Sequence, residues 1–497
     1  MDAYRQLEQR FAQRAALSDA YGILSWDQNV MMPEGASERR AEVMAGLQGL
    51  QHRLLASPET GALLEKVRTD GSVWQDANLA LMKRAYTCAM SVPTHLVEAL
   101  TAACVRSEAA WRTARQNSDF KALQPHMQTV LDLTREMAQA TGEALGLSPY
   151  DALLDQFDPG MRQETIAPLF AELAENLPPL LDQVLEHQAS RRAAGTFPPP
   201  AGPFPVPAQE VLGREVMKRM GFDFTRGRLD VSLHPFCGGA TGDVRITTRY
   251  REDDFLQAFF GIVHETGHAL YEQGLPEAWH GQPAGGALGM TMHESQSLIM
   301  EMQFCRSEAF IRFAAPLMSR YLEKNDQDSW SPDALLSQVQ HVRRGLIRVE
   351  ADEVTYPAHV LVRYELETAM IAGDLALKDL PEAFNARFKE LMGTDVPDDR
   401  RGCLQDIHWP DGLFGYFPCY TLGALTAAQF ATAMEREIDV EDALSRGDFA
   451  PLREWLGRNV WSRASSAGTQ EIIRDATGKP LGTEAFLTRI RNRYLGI

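Results

Sequence analysis

"FFGIVHETGHALYEQG", residues 259–274, places two histidines four apart with a glutamate directly after the first. Four residues is about one turn of an α-helix, so His264 and His268 would project from the same side. Leu256, Phe260, Val263 and Leu270 form an apolar stripe with Gly267 in line, and the histidines sit at its edge. Gly261 and Gly267 each cost roughly 1 kcal/mol relative to alanine inside a helix, a cost tolerated where another backbone must come close. The H-E-x-x-H pattern on an unbroken helix points to a metal site with its own base, since buried imidazoles need partners for both nitrogens.

Two imidazoles are one short of the three protein ligands of a catalytic zinc. The longer form of the motif is excluded, because Tyr271 and Gly274 stand where it needs glycine and histidine. Glu272, one turn past His268, climbs away from the metal along a straight helix. A carboxylate on a second helix fits better, and "MTMHESQSLIMEMQFCRSEAF" (290–310) supplies one. Glu294 follows His268 by 26 residues, enough for the loop "GLPEAWHGQPAGGALG" and an antiparallel return. Glu301, about two turns on, is its competitor, and His293 is a further candidate for the metal or the substrate. With two neutral imidazoles and a carboxylate, Zn²⁺ keeps one position for water and lowers the pKa of that water to about 7. Glu265 would take the water proton and pass it to the leaving amine. The expected chemistry is metal-assisted amide hydrolysis.

Outward from the motif, "GDVRITTRY" (242–250) alternates as a strand does and predicts a small sheet near residues 229–250. Residues 1 to about 195 read as successive helices, with apolar residues recurring at three and four. The proline-rich "TFPPPAGPFPVPAQE" (196–210) predicts an extended surface connection to a metal-site part, 211–497. No composition shift accompanies it, so residues 1–497 are expected to form a single catalytic domain. The fold class expected is mainly α with a small β-sheet.

The formal net charge of −18 repels phosphate backbones, so nucleic acid is not an expected partner. No apolar run approaches the roughly 18 residues of a membrane span, and the amino terminus lacks a signal core. The six cysteines are scattered without a C-x-x-C pair, which suits reduced thiols in a cytoplasmic protein.

The motifs together resemble the carboxypeptidase Taq family of thermostable metallocarboxypeptidases. "LSWDQNVMMPEGASERRAEVMAGL" (24–47) and "SPYDALLDQFDPGM" (148–161) begin the likeness. It continues through "HPF" (234–236), "DVRIT" (243–247), "HETGH" (264–268), "HESQS" (293–297), "IRVEAD" (347–352) and "GCLQDIHW" (402–409). The resemblance implies a helical, saddle-like subunit with a deep groove, akin to neurolysin and angiotensin-converting enzyme and usually a homodimer. It implies one zinc per subunit, replaceable by cobalt, on His264, His268 and Glu294, with Glu265 as base. The implied activity is release of single carboxy-terminal amino acids from peptides with broad specificity. A zinc oligoendopeptidase or dipeptidyl carboxypeptidase on the same metal is the alternative, and a non-catalytic helical scaffold a third reading.

A carboxypeptidase must hold a free carboxylate, which arginine does with two parallel bonds; Arg348 and Arg245 lie in the motifs and are the candidates. His408, Tyr416 and Tyr420 are candidate donors to the developing oxyanion. His234 and His293 are assigned to the substrate, and His280 to loop structure.

Overall fold

The computed structural model describes residues 2–324 and 326–497. Eight α-helices from Ala3 to Ala194 come first, as the periodicity predicts. Asp2 caps the first helix, Ala3–Val30, accepting from the backbone N–H of Arg5 at 2.9 Å. Its Tyr4, Leu7 and Phe11 share one face and bury against Leu55, Leu64, Val67, Leu79 and Met82, in a small core distinct from the main one. The main core runs from Ala114 to Tyr494. No single helix among the described residues is long and apolar enough to cross a membrane.

The proline-rich connection is shorter than expected. A helix begins inside it, at Val206, because Pro207 falls in the first turn, where proline's missing N–H has no intrahelical partner to lose. The preceding stretch is packed: Phe204 is buried against Phe255 and Trp330, and its N–H donates to the Glu252 carbonyl.

Three strands follow: β1 (Gly227–Val231), β2 (Cys237–Ala240) and β3 (Asp243–Thr248), in spatial order β1-β3-β2. β1 is parallel and β2 antiparallel to β3. Leu229, Val244 and Ile246 pack with Ile262 and Ala269 of the motif helix, Phe255–Gly274, and so fix the height of the histidines above the sheet. Instead of one stripe, that helix is buried over most of its circumference, with Leu256 only half-buried.

A return helix, Gly289–Leu298, crosses the motif helix at Gly267. A Cβ there would overlap the Gln296 carbonyl oxygen and lie 2.6 Å from Ser297 Cα. At Gly261 the nearest atom would be the Thr248 hydroxyl, 3.8 Å away, so the close approach expected at both glycines occurs at one. Gly267→Ala should therefore destabilise by about 1–3 kcal/mol through overpacking. Gly261→Ala should stabilise by up to ~1 kcal/mol through helix propensity. Thermal melts of the two variants check the opposite signs.

The return helix also packs on Pro418–Met434, where a Cβ at Gly423 would overlap the Glu294 side chain. Beyond Leu298 the regular helix expected over 290–310 widens into a π-helical turn, Ile299–Cys305, in which the Glu301 carbonyl accepts from Arg306 N–H, five residues on. Arg493 braces it by donating to the carbonyls of Met302 and Gln303.

Candidate active site

His264 and His268 present their Nε2 atoms to Glu294 from one side of the motif helix. His264 Nε2 lies 3.9 Å from Glu294 Oε1, and His268 Nε2 lies 3.7 Å from Oε2. One ligand atom from each of the three lies within 4.8 Å of the others. Tetrahedral zinc with bonds of about 2.1 Å spaces its ligands roughly 3.4 Å apart. The two histidine-to-glutamate separations are thus a few tenths of an ångström wider than in a loaded site, and the donors are the right ones.

The remaining nitrogens are committed. Glu301 accepts from His264 Nδ1 at 2.9 Å and from Arg306 Nη2 at 2.7 Å, so this competitor for the metal stands behind a ligand instead. The π turn is what aims it there. His268 Nδ1 meets His293 Nδ1 at 2.7 Å, and His293 Nε2 meets Glu272 Oε1 at 2.8 Å. Both nitrogens of His293, assigned to the substrate from sequence, thus face protein partners. Burial and the neighbouring imidazoles hold His268 neutral, the form a metal needs. In the metal-free chain burial opposes a charge on His264, but the Glu301 hydrogen bond and the Glu294 charge overcome this and hold it up at about 10.

Glu265, which lies between His264 and His268 in the chain, is buried. Burial raises its carboxyl to about 7, against the lowering effect of His264. The Tyr356 hydroxyl donates to Glu294 Oε1 at 3.5 Å. Sequence reasoning missed Tyr356, which heads the helix Tyr356–Ala372 outside every motif considered.

Arg348 is buried at the start of a 3-10 turn, Arg348–Glu350. Its Nε and Nη2 donate to Asp406 Oδ1 at 3.0 and 2.9 Å. Asp406 Oδ2 accepts from Arg363 Nε at 2.7 Å. Burial works against the Asp406 carboxylate, yet the two arginines hold its pKa well below the usual range. Two guanidinium charges on one carboxylate leave the cluster with one positive charge in excess. The Arg348 guanidinium carbon lies 4.8 Å from the Tyr420 ring centroid. Tyr420 in turn meets His408 Nε2 through its hydroxyl at 3.2 Å, with the Tyr416 ring 5.3 Å away. Burial keeps His408 neutral, lowering its pKa to about 3 despite Asp406.

Arg245 and His234 stand apart from this group. Arg245 pairs with Asp243 at 2.6 Å and lies over Trp26 of the first helix at 4.2 Å. Arg228 lies over the same indole at 4.9 Å, so Arg245 pins that helix to the sheet. His234 is exposed between β1 and β2. His280 follows a 3-10 turn in the loop between the motif and return helices. All six cysteines are free.

Residues 6–494 match the family described as Carboxypeptidase Taq (M32) metallopeptidase. Thermostable carboxypeptidase 1 of Thermus thermophilus is 38% identical over 100% of this chain and 99% of its own. Carboxypeptidase 1 of Bacillus subtilis is 34% identical over 96% and 95%. Among solved structures, Trypanosoma cruzi metallocarboxypeptidase 1 superposes with a TM-score of 0.96 at 37% identity, over 99% of each chain. An M32 carboxypeptidase from Deinococcus radiodurans R1 gives 0.93 at 34%, over 99% of this chain and 98% of that one. A His-His-Glu metal cluster, a mainly helical fold with one small sheet, and likeness along the whole chain converge: the chain belongs to the carboxypeptidase Taq (M32) family and is a metallocarboxypeptidase.

Proposed function

We propose that the enzyme is a zinc carboxypeptidase that releases single amino acids, with broad specificity, from the carboxyl ends of peptides. The observation that carries this is the Arg348–Asp406–Arg363 cluster, with its surplus positive charge, placed against Tyr420 and within electrostatic range of Glu294. On this reading Arg348 holds the substrate's terminal carboxylate, and the residue that carries it is the one released. Zinc, or cobalt in its place, when bound on His264, His268 and Glu294 supplies a Lewis acid for the scissile carbonyl and acidifies a water.

The residues do the rest. Glu265 takes the proton from the attacking water and delivers it to the departing amine. If His408 Nε2–H donates to the Tyr420 oxygen, the Tyr420 hydroxyl proton is free for the developing oxyanion, a contribution of about 3 kcal/mol. Tyr416 packs beside it and Tyr356 steadies Glu294. We assign Arg245 to holding the first helix, and leave His234 the weakest substrate candidate. The scattered, unpaired cysteines suit a cytoplasmic location, and likeness to the family suits a homodimer.

Mass spectrometry of peptide digests tests the activity. One-residue ladders from the carboxyl end support it, whereas two-residue steps or internal cuts favour the dipeptidyl or oligopeptidase reading. Glu294→Ala should lose the metal to a competing chelator, because two imidazoles hold zinc poorly. Glu301→Ala should weaken metal binding by only about 10- to 100-fold, as loss of an orienting partner does. The reverse order would make Glu301 the ligand.

A further inference from the structure

His268 and Glu272 sit one turn apart on the motif helix, and the imidazole of His293, entering from the return helix, spans the gap between them. Hydrogen-bond chemistry gives this chain a direction. A carboxylate can only accept, so His293 carries its proton on Nε2, toward Glu272. A neutral imidazole protonated there has a lone pair at Nδ1. Two ring nitrogens 2.7 Å apart need one proton between them, so it belongs to His268 Nδ1. His268 Nε2 is then bare and faces Glu294.

We infer that His293 and Glu272 are positioning residues for the metal site, fixing His268 in its Nδ1–H tautomer, and that His293 does not bind substrate. This rests on the metal reading of His264, His268 and Glu294. The two histidines are held differently. His264 bonds straight to a carboxylate paired with Arg306, whereas His268 reaches one through a second imidazole. The Glu272 side chain is 36% exposed, so its replacement disturbs little packing.

Four variants separate the relay from packing. His293→Gln keeps its direction, since an amide oxygen accepts from His268 while its NH₂ donates to Glu272. Glu272→Gln keeps it too, through the amide oxygen. His293→Leu breaks it, and Glu272→Lys reverses it, because an ammonium can only donate and turns His293 over. Zinc affinity by chelator competition should stay within a few-fold of wild type in both glutamine variants. It should fall about 10- to 100-fold in His293→Leu and Glu272→Lys.

Histidine-selective ¹⁵N spectra of the metal-free protein should show a protonated Nδ1 on His268 in wild type and a protonated Nε2 in Glu272→Lys. Unchanged zinc affinity and an unchanged tautomer in Glu272→Lys would overturn the relay. So would unchanged zinc affinity with a raised KM in His293→Leu, the mark of a substrate-binding residue. Because the nitrogen spectra need no metal, they test the relay even if wild type binds none; that failure would fall on the metal reading.

Discussion

Glu265→Gln should leave the metal bound and remove turnover. Glutamine matches the carboxylate in shape, and the two imidazoles and Glu294 that hold the metal are untouched, so metal content should equal that of wild type. The amide cannot take a proton from water, and general-base assistance is worth roughly 10² to 10⁴ in rate. Buried beside His264, the carboxyl of Glu265 is pushed up to about 7 in the metal-free chain. That suits a group that must both accept a proton and give it back near neutrality. The check is kcat/KM for a peptide alongside metal content per chain. Activity retained at full metal would remove Glu265 from the mechanism.

What could be read ahead of the structure follows from the range of each interaction. His264 and His268 are one turn apart on one helix, a local relation that spacing reports. Gly267 was legible as a close approach for the same reason, though not which backbone would approach; Gly261 gives the same sequence signal and meets only the Thr248 hydroxyl at ordinary contact distance. Spacing favours Glu294 over Glu301 only weakly, because carboxylates seven apart on a straight helix face nearly the same way. The π turn that sends Glu301 behind His264 leaves no mark in the residue pattern. Partners distant in sequence were harder still. Glu272 was weighed as a ligand and turns out to stand behind His293, a pairing made only when two helices meet. Nothing near Arg245 in the sequence announces that Trp26, on the first helix, lies over its guanidinium. Arg348 could pair with Asp352 one turn on, but it lies in a 3-10 turn and meets Asp406, while Asp352 accepts backbone N–H groups.

That pairing sharpens the second large effect. Arg348→Ala should cripple cleavage of peptides with a free carboxyl end and narrow their advantage over the matching amides. Asp406 takes the Nε and Nη2 bonds of Arg348, leaving its Nη1 edge for a substrate carboxylate. Arg363 already satisfies the other oxygen of Asp406, so the fold should survive the loss of Arg348. The surplus positive charge that draws the substrate disappears with it. Truncating one partner of a buried charge pair costs about 2 to 5 kcal/mol, or some thirtyfold to several thousandfold in kcat/KM. Arg348→Lys should rescue only in part, since a point charge cannot keep two bonds to Asp406 and offer another flat edge to the substrate. The measurement is kcat/KM for an acid and amide peptide pair on wild type and both variants. Equal rates on acid and amide by wild type would leave the metal chemistry standing but point to internal cleavage. A wild-type acid preference that persists in Arg348→Ala would assign the carboxylate to another cation.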